Sequence, residues 1–150
     1  MANYVSTYKS RHFIRENSFN INKTQLTPGM FIEMRYKKTR KQLPASEKKF
    51  GTYWILVLDI RKDSDNGRKY IYALDLNEIN PSVIKGMFKP FNLKTTNIQG
   101  REVKVLGMTE SGKAVYNKLR KFLNTTAKES YKTFNFSAGV MSTKLIDVKF

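Results

Sequence analysis

The chain predicts a mainly β fold: a small antiparallel barrel, SH3-like or OB-like, with a late amphipathic helix and an extended basic arm at its start. Three observations carry this expectation. Met30 to Tyr36 alternates apolar and polar residues with period two, the mark of a half-buried strand. Tyr53 to Ile60 is apolar at nearly every position and rich in aromatic and branched side chains, as a strand covered on both faces would be. Asp65-Asn66-Gly67 then leads into Lys69 to Leu76 through residues that tolerate positive φ, which makes an antiparallel hairpin. Closure of such short strands removes exposed edges, hence the barrel.

Residues 1–25 combine Lys9, Arg11, Arg15 and Lys23 with Asn, Ser and Thr, and their apolar points Tyr4, Tyr8, Phe13, Ile14 and Phe19 keep no period. They read as a flexible basic arm that orders against a partner. Residues 26–150 read as a single β-rich domain, a length that suits one core. In its first strand Met30, Ile32, Met34 and Tyr36 share one face, and Phe31, Glu33, Arg35 and Lys37 share the other. Asn80-Pro81 opens a short helix through Val83, Ile84, Met87 and Phe88 that Pro90 ends, placed to plug one end of the barrel. Residues 92–100 read as loop and Val103 to Leu106 as a short strand.

Thr109 is the expected cap of a helix over residues 110–124, with Val115, Leu119, Phe122 and Leu123 inward and Lys113, Lys118, Arg120 and Lys121 on a basic back. Tyr131 to Phe134, a Ser137-Ala138-Gly139 turn and a closing strand over residues 141–150 complete the chain. In that strand Ile146, Val148 and Phe150 alternate with Leu145, Asp147 and Lys149.

There are 28 Lys and Arg against 12 Asp and Glu, a formal charge of +16 concentrated toward the two ends. Such a charge draws a protein to polyanions, of which nucleic acid, an anionic membrane face and an acidic protein surface are the candidates. The chain has no Cys, which excludes disulfides and thiolate zinc sites. No apolar run reaches membrane-spanning length and the start lacks a signal-peptide core, so a soluble protein with no membrane partner is expected.

Signs of catalysis are sparse. His12, the one histidine, stands in the arm with no orienting partner, and there is no nucleophile elbow or glycine-rich phosphate loop. Neither an enzyme nor a cofactor is expected. Asp59, Asp63 and Asp65 fail the calcium-loop template, because Gly67 comes one place early after Asp63 and residue 74 is Leu. A metal-dependent nuclease on Asp59, Asp75 and Glu78 stands as a third reading behind two binding roles.

The clearest functional feature is the basic stretch between the first two strands. Arg35, Lys37, Lys38, Arg40, Lys41, Lys48 and Lys49 place seven cations within 15 residues, bracketed by Tyr36 and Phe50 and opposed by Glu47. Contacts from these groups to about six phosphates would give a log-log salt slope of about −5. Tyr53, Trp54, Tyr70 and Tyr72 admit two readings, a base-stacking platform or ordinary packing, with Tyr70 and Tyr72 on one face in either case.

Pro28-Gly29, Tyr36-Lys37-Lys38, Leu43-Pro44, Val57-Leu58-Asp59 and Ala73-Leu74-Asp75-Leu76, with Tyr131-Lys132-Thr133-Phe134 near the end, form an ordered pattern. It resembles that of small tailed-bacteriophage proteins of the DNA end protector-like kind. Where an aromatic-Asp pair would follow Leu-Pro, this chain has Ala45-Ser46-Glu47. The resemblance implies a non-enzymatic virion or DNA-packaging protein, found in the particle and, during assembly, in the host cytoplasm. Its partners would be DNA, other phage structural proteins and further copies of itself. The alternative is a purely structural head, neck or tail component held by protein-protein contacts.

Overall fold

A strand apolar on both faces has to be covered twice, and the architecture follows from that requirement. The computed structural model describes residues 18–37, 50–79, 81–122, 131–146 and 148. Its strands are β1 (Phe19–Ile21), β2 (Phe31–Lys37), β3 (Phe50–Lys62), β4 (Lys69–Asp75), β5 (Leu93–Ile98), β6 (Arg101–Leu106), β7 (Tyr131–Asn135) and β8 (Val140–Leu145). The helices are α1 (Pro81–Met87) and α2 (Gly112–Leu119). Six strands form one antiparallel sheet in the order β1-β8-β2-β3-β4-β7, and β5-β6 is a separate hairpin.

The core strand β3 divides its side chains between two apolar clusters. Trp54, Leu56 and Leu58 join Phe31 and Leu74 beneath Ile84, Met87 and Phe88, Val115 and Leu119 of α2, and Ile146 and Val148. Ile55 and Val57 join Ile32, Met34, Ile71 and Ala73 on the other face, covered by Ile21, Leu26, Met30, Val103 and the aromatic Phe134 and Phe136. The β3-β4 register skips Leu58, passing from Val57 opposite Ala73 to Asp59 opposite Tyr72. At this bulge α2 sits directly on the strand: a Cβ on Gly112 would lie 2.3 Å from the Leu58 carbonyl oxygen.

The hairpin β5-β6 is held by the Pro28-Gly29 turn. Gly29 donates to the Val57 carbonyl at 2.7 Å, and its own carbonyl accepts from Leu106 at 2.8 Å. With φ at +99° and a hypothetical Cβ 2.3 Å from the Leu106 oxygen, only glycine fits there.

The sheet cannot be flat. β7 and β8 sit four strand spacings apart, about 19 Å across a flat sheet, yet the turn between them is so short that even fully extended chain from Asn135 to Val140 reaches only about 17 Å. The turn is tighter still, since Gly139 donates to the Asn135 carbonyl at 3.1 Å. Curling brings β7 back toward β2, so that the Tyr36 and Phe134 rings meet edge-on at 5.0 Å. The Tyr36 hydroxyl accepts from the Asn135 N–H at 3.1 Å, and a Cβ on Gly139 would lie 2.1 Å from the Tyr36 ring. The result is the expected small, mainly β fold, but among the described residues its sheet stays open and does not close into the expected barrel. Among the described residues no ladder joins β1 to β7, so ring packing and single hydrogen bonds rather than a strand ladder close the curl.

Several expectations change in detail. Phe19–Ile21, within the stretch read as an arm, pairs with β8, and an Asn22-capped turn over Lys23–Gln25 follows; residues 1–17, with His12, lie outside the described residues. The stretch read as loop contains β5, which pairs with β6; its Leu93, Thr96 and Ile98 are half-buried, Leu93 against the first cluster and Ile98 against the second. Ser111 caps α2 in place of Thr109, accepting from the Ala114 N–H at 3.2 Å; a 3-10 turn over Arg120–Phe122 follows α2, and residues 123 and 124 of the expected helix lie outside the described residues. The closing strand is Val140–Leu145 with a bridge at Val148, and Leu145 is buried in the second cluster.

The Tyr36-Gly139 contact sets a test of the curl. Gly139→Ala should cost on the order of 1–3 kcal/mol by overpacking against the ring, and Tyr36→Phe about 1 kcal/mol through its lost hydrogen bond. Urea unfolding midpoints measure both. An unchanged midpoint for Gly139→Ala would show that the turn is not pressed on Tyr36.

Candidate nucleic-acid interface

Alternation along β2 sends Phe31, Glu33, Arg35 and Lys37 to the face that carries the helices. The helical layer covers only one end of it: Phe31 is fully buried, Glu33 half-buried, and Arg35 and Lys37 exposed. Tyr36 between them is buried on the opposite face, which fixes the strand that projects the two cations. Neighbouring strands complete the surface. β8 sets Lys144 opposite Glu33 and Ser142 opposite Arg35, while β3 sets Thr52 opposite Arg35 and Phe50 opposite Lys37. Glu33, Arg35, Thr52, Ser142 and Lys144 line an open depression of about 240 Å³. Two cations and two hydroxyls thus border one half-buried carboxylate, with Lys37 two residues beyond Arg35 on the same strand face.

Of the seven cations singled out in the sequence, Arg35 and Lys37 belong to this surface; Lys38, Arg40, Lys41, Lys48 and Lys49 lie outside the described residues. Lys144 was missed. The alternation of exposed Ser142 and Lys144 with buried Thr143 and Leu145 signals a two-faced strand, but pairing of β8 with β2 is a long-range choice that no local pattern reveals.

The four aromatic residues do not make one platform. Tyr53 packs against Tyr36 and Phe134, its ring 5.1 Å from the latter, and its sequence neighbour Trp54 is buried on the other face. Tyr70 and Tyr72 do share a face, half-buried, with the Arg61 guanidinium 4.2 Å over Tyr72. Tyr131 stands 6.5 Å from Tyr72 and 4.6 Å from Tyr116 of α2, so this group bridges strand to helix. No family model matches the chain, and neither curated proteins nor solved structures give a match.

The acids of the third reading are divided. Asp59 is opposite Tyr72 and Asp75 opposite Ile55, which separates them by about four residues along β3, or 13 Å. Asp59 accepts from the Ile60 N–H and faces Arg61 at 3.6 Å. Asp75 and Glu78 instead share Lys132, whose ammonium lies 3.1 Å and 3.9 Å from their carboxylates. Among the described residues no three His, Cys, Asp or Glu side chains group to hold a metal ion.

Burial dominates at Asp75, pushing its carboxyl above the ordinary 3.8 although Lys132 pulls it down; Lys132 has its own burial working against it, but Asp75 holds it above its ordinary value. The folded state therefore binds the Asp75 proton more tightly than the unfolded chain does. Its contribution to stability is fully present below 3.8 and is lost as pH rises through the raised folded value. Asp75→Asn keeps an oxygen for the Asn77 N–H, which the carboxylate now accepts at 3.0 Å, and removes the ionisation. The variant should gain on the parent protein as pH rises from 3 toward 7, read as the difference in urea midpoints. A difference moving the other way would show that pairing with Lys132 outweighs burial.

Proposed function

We propose that this chain is a non-enzymatic nucleic-acid-binding protein that holds phosphate backbone on the open face of β2, β3 and β8. The observation that carries the reading is the convergence of exposed Arg35, Lys37 and Lys144 at the root of a stretch, residues 38–49, that contributes five more cations to the sequence. Phosphate contacts position a protein on its target without reading sequence. Cations on paired strands lose little freedom on binding, and the Thr52 and Ser142 hydroxyls supply further donors. The motif resemblance supports a role in a tailed bacteriophage, at DNA packaging or in the virion, beside other structural proteins and further copies of itself.

One feature favours a second reading, a structural particle component that uses its charge against acidic neighbours. Met141, next to Ser142 in β8, is 56% exposed, an apolar contact point. Electrophoretic mobility of DNA at low salt separates the two, because a purely structural component leaves DNA unretarded.

Replacing Arg35, Lys37 and Lys144 together with Ala should weaken binding to about the same degree for every DNA sequence. It should also make the log-log salt slope shallower by about 2.7. These positions are exposed, so the unfolding midpoint should move little. Unchanged affinity in a fluorescence anisotropy titration would remove the assignment of this face.

A further inference from the structure

The turn between β7 and β8 gathers a second group of cations. Phe136, 8% exposed, has the Lys23 ammonium 5.1 Å and the Lys69 ammonium 4.6 Å from its ring centroid. Lys23 also donates to the Phe136 carbonyl at 3.0 Å. Lys62 stands directly opposite Lys69 in the β3-β4 ladder. The Lys69 carbonyl accepts from the Phe136 N–H at 2.9 Å, so the Lys69 backbone faces β7. Its pairing with Lys62 is consequently of the non-hydrogen-bonded kind, in which Cα atoms come within about 4.5 Å and side chains are nearest.

Like charges directly opposite one another destabilise a sheet. The nearby Asp63 turns one carboxylate oxygen inward to its own loop, accepting from the Asp65 N–H at 2.7 Å. Lys23, Lys62 and Lys69 are thus brought together by the backbone and by one aromatic ring, in an arrangement that costs the free protein stability and that a phosphate would relieve. We infer that these three lysines form a second phosphate-binding patch, which continues the nucleic-acid interface around the Phe136–Gly139 turn. The inference rests on the nucleic-acid reading above. Continuity comes from the same turn: the Lys37 N–H donates to the Gly139 carbonyl at 2.7 Å, so the root of the basic stretch and the Phe136 patch are tied to one short segment.

The test is the salt dependence of binding to a 20-base-pair duplex, read by fluorescence anisotropy. Lys62→Gln leaves the Phe136 contacts intact and should weaken binding about threefold, with the slope shallower by about 0.9. Lys62→Gln with Lys69→Gln should weaken it about tenfold, with the slope shallower by about 1.8. Both variants should unfold at slightly higher urea, because repulsion is relieved, which a merely structural role for the lysines would not produce. If both bind like the parent while the Arg35, Lys37 and Lys144 variant is weakened, the second patch is overturned and the first face stands. If the parent protein does not bind duplex even at low salt, the nucleic-acid reading and this extension both fall.

Discussion

The four-residue turn from Phe136 to Gly139 is the constraint on which the rest of the structure depends. Strands that follow each other this closely normally pair with each other. Here β7 pairs with β4 and β8 with β2, so the turn must span the mouth of the sheet and can do so only if the sheet curls. Tyr36 is the side chain that makes the curl specific. Its ring fills the space beside Phe134 and Tyr53, its hydroxyl takes the Asn135 N–H, and the absence of a Cβ at Gly139 lets the turn close over it.

Curling gives the two faces of β3 different fates. The inner face is sealed by strand-borne aromatic residues and by the β5-β6 hairpin, which Gly29 fastens to the core strand. On the outer face, α1, α2, Ile146 and Val148 cover only part among the described residues. What remains uncovered on the β2-β8 side is where Arg35, Lys37 and Lys144 emerge. The buried Tyr36 that holds the curl is the residue between the two exposed cations of β2, so the fold and the candidate site share an anchor.

Much of this was legible from local pattern. Period-two alternation placed Ile32, Met34 and Tyr36 together, the unbroken apolar run marked β3 as covered twice, and Gly67 at φ +68° turns the hairpin where Asp65-Asn66-Gly67 announced it. Pro81 begins α1 as its fixed φ suggests. What stayed hidden depended on distant partners. Phe19–Ile21 is too short and polar to declare itself a strand without β8 beside it, and β5 looks like loop because half of its residues face solvent. Phe31, placed by alternation among polar residues, is buried because helices arrive from 50 and more residues downstream. For the candidate site, the charge run around Arg35 and Lys37 is a local pattern, but Lys144 and the Lys62-Lys69 opposition exist only through register.

The same electrostatics act on stability and on binding with opposite sign. A chain at +16 repels itself when compact, and the sheet adds to this by setting Lys62 against Lys69 and by turning Lys23 and Lys69 onto one ring. A structure selected for stability alone would place an acid in one of these positions, as it does where Lys132 meets Asp75 and Glu78. Added salt screens the repulsion within the free protein and, by the same screening, would weaken the proposed hold on a polyanion. On the proposed reading, the Lys62-Lys69 opposition is a cost in the free chain that a phosphate backbone laid across β2, β8 and the Phe136 turn would convert into affinity.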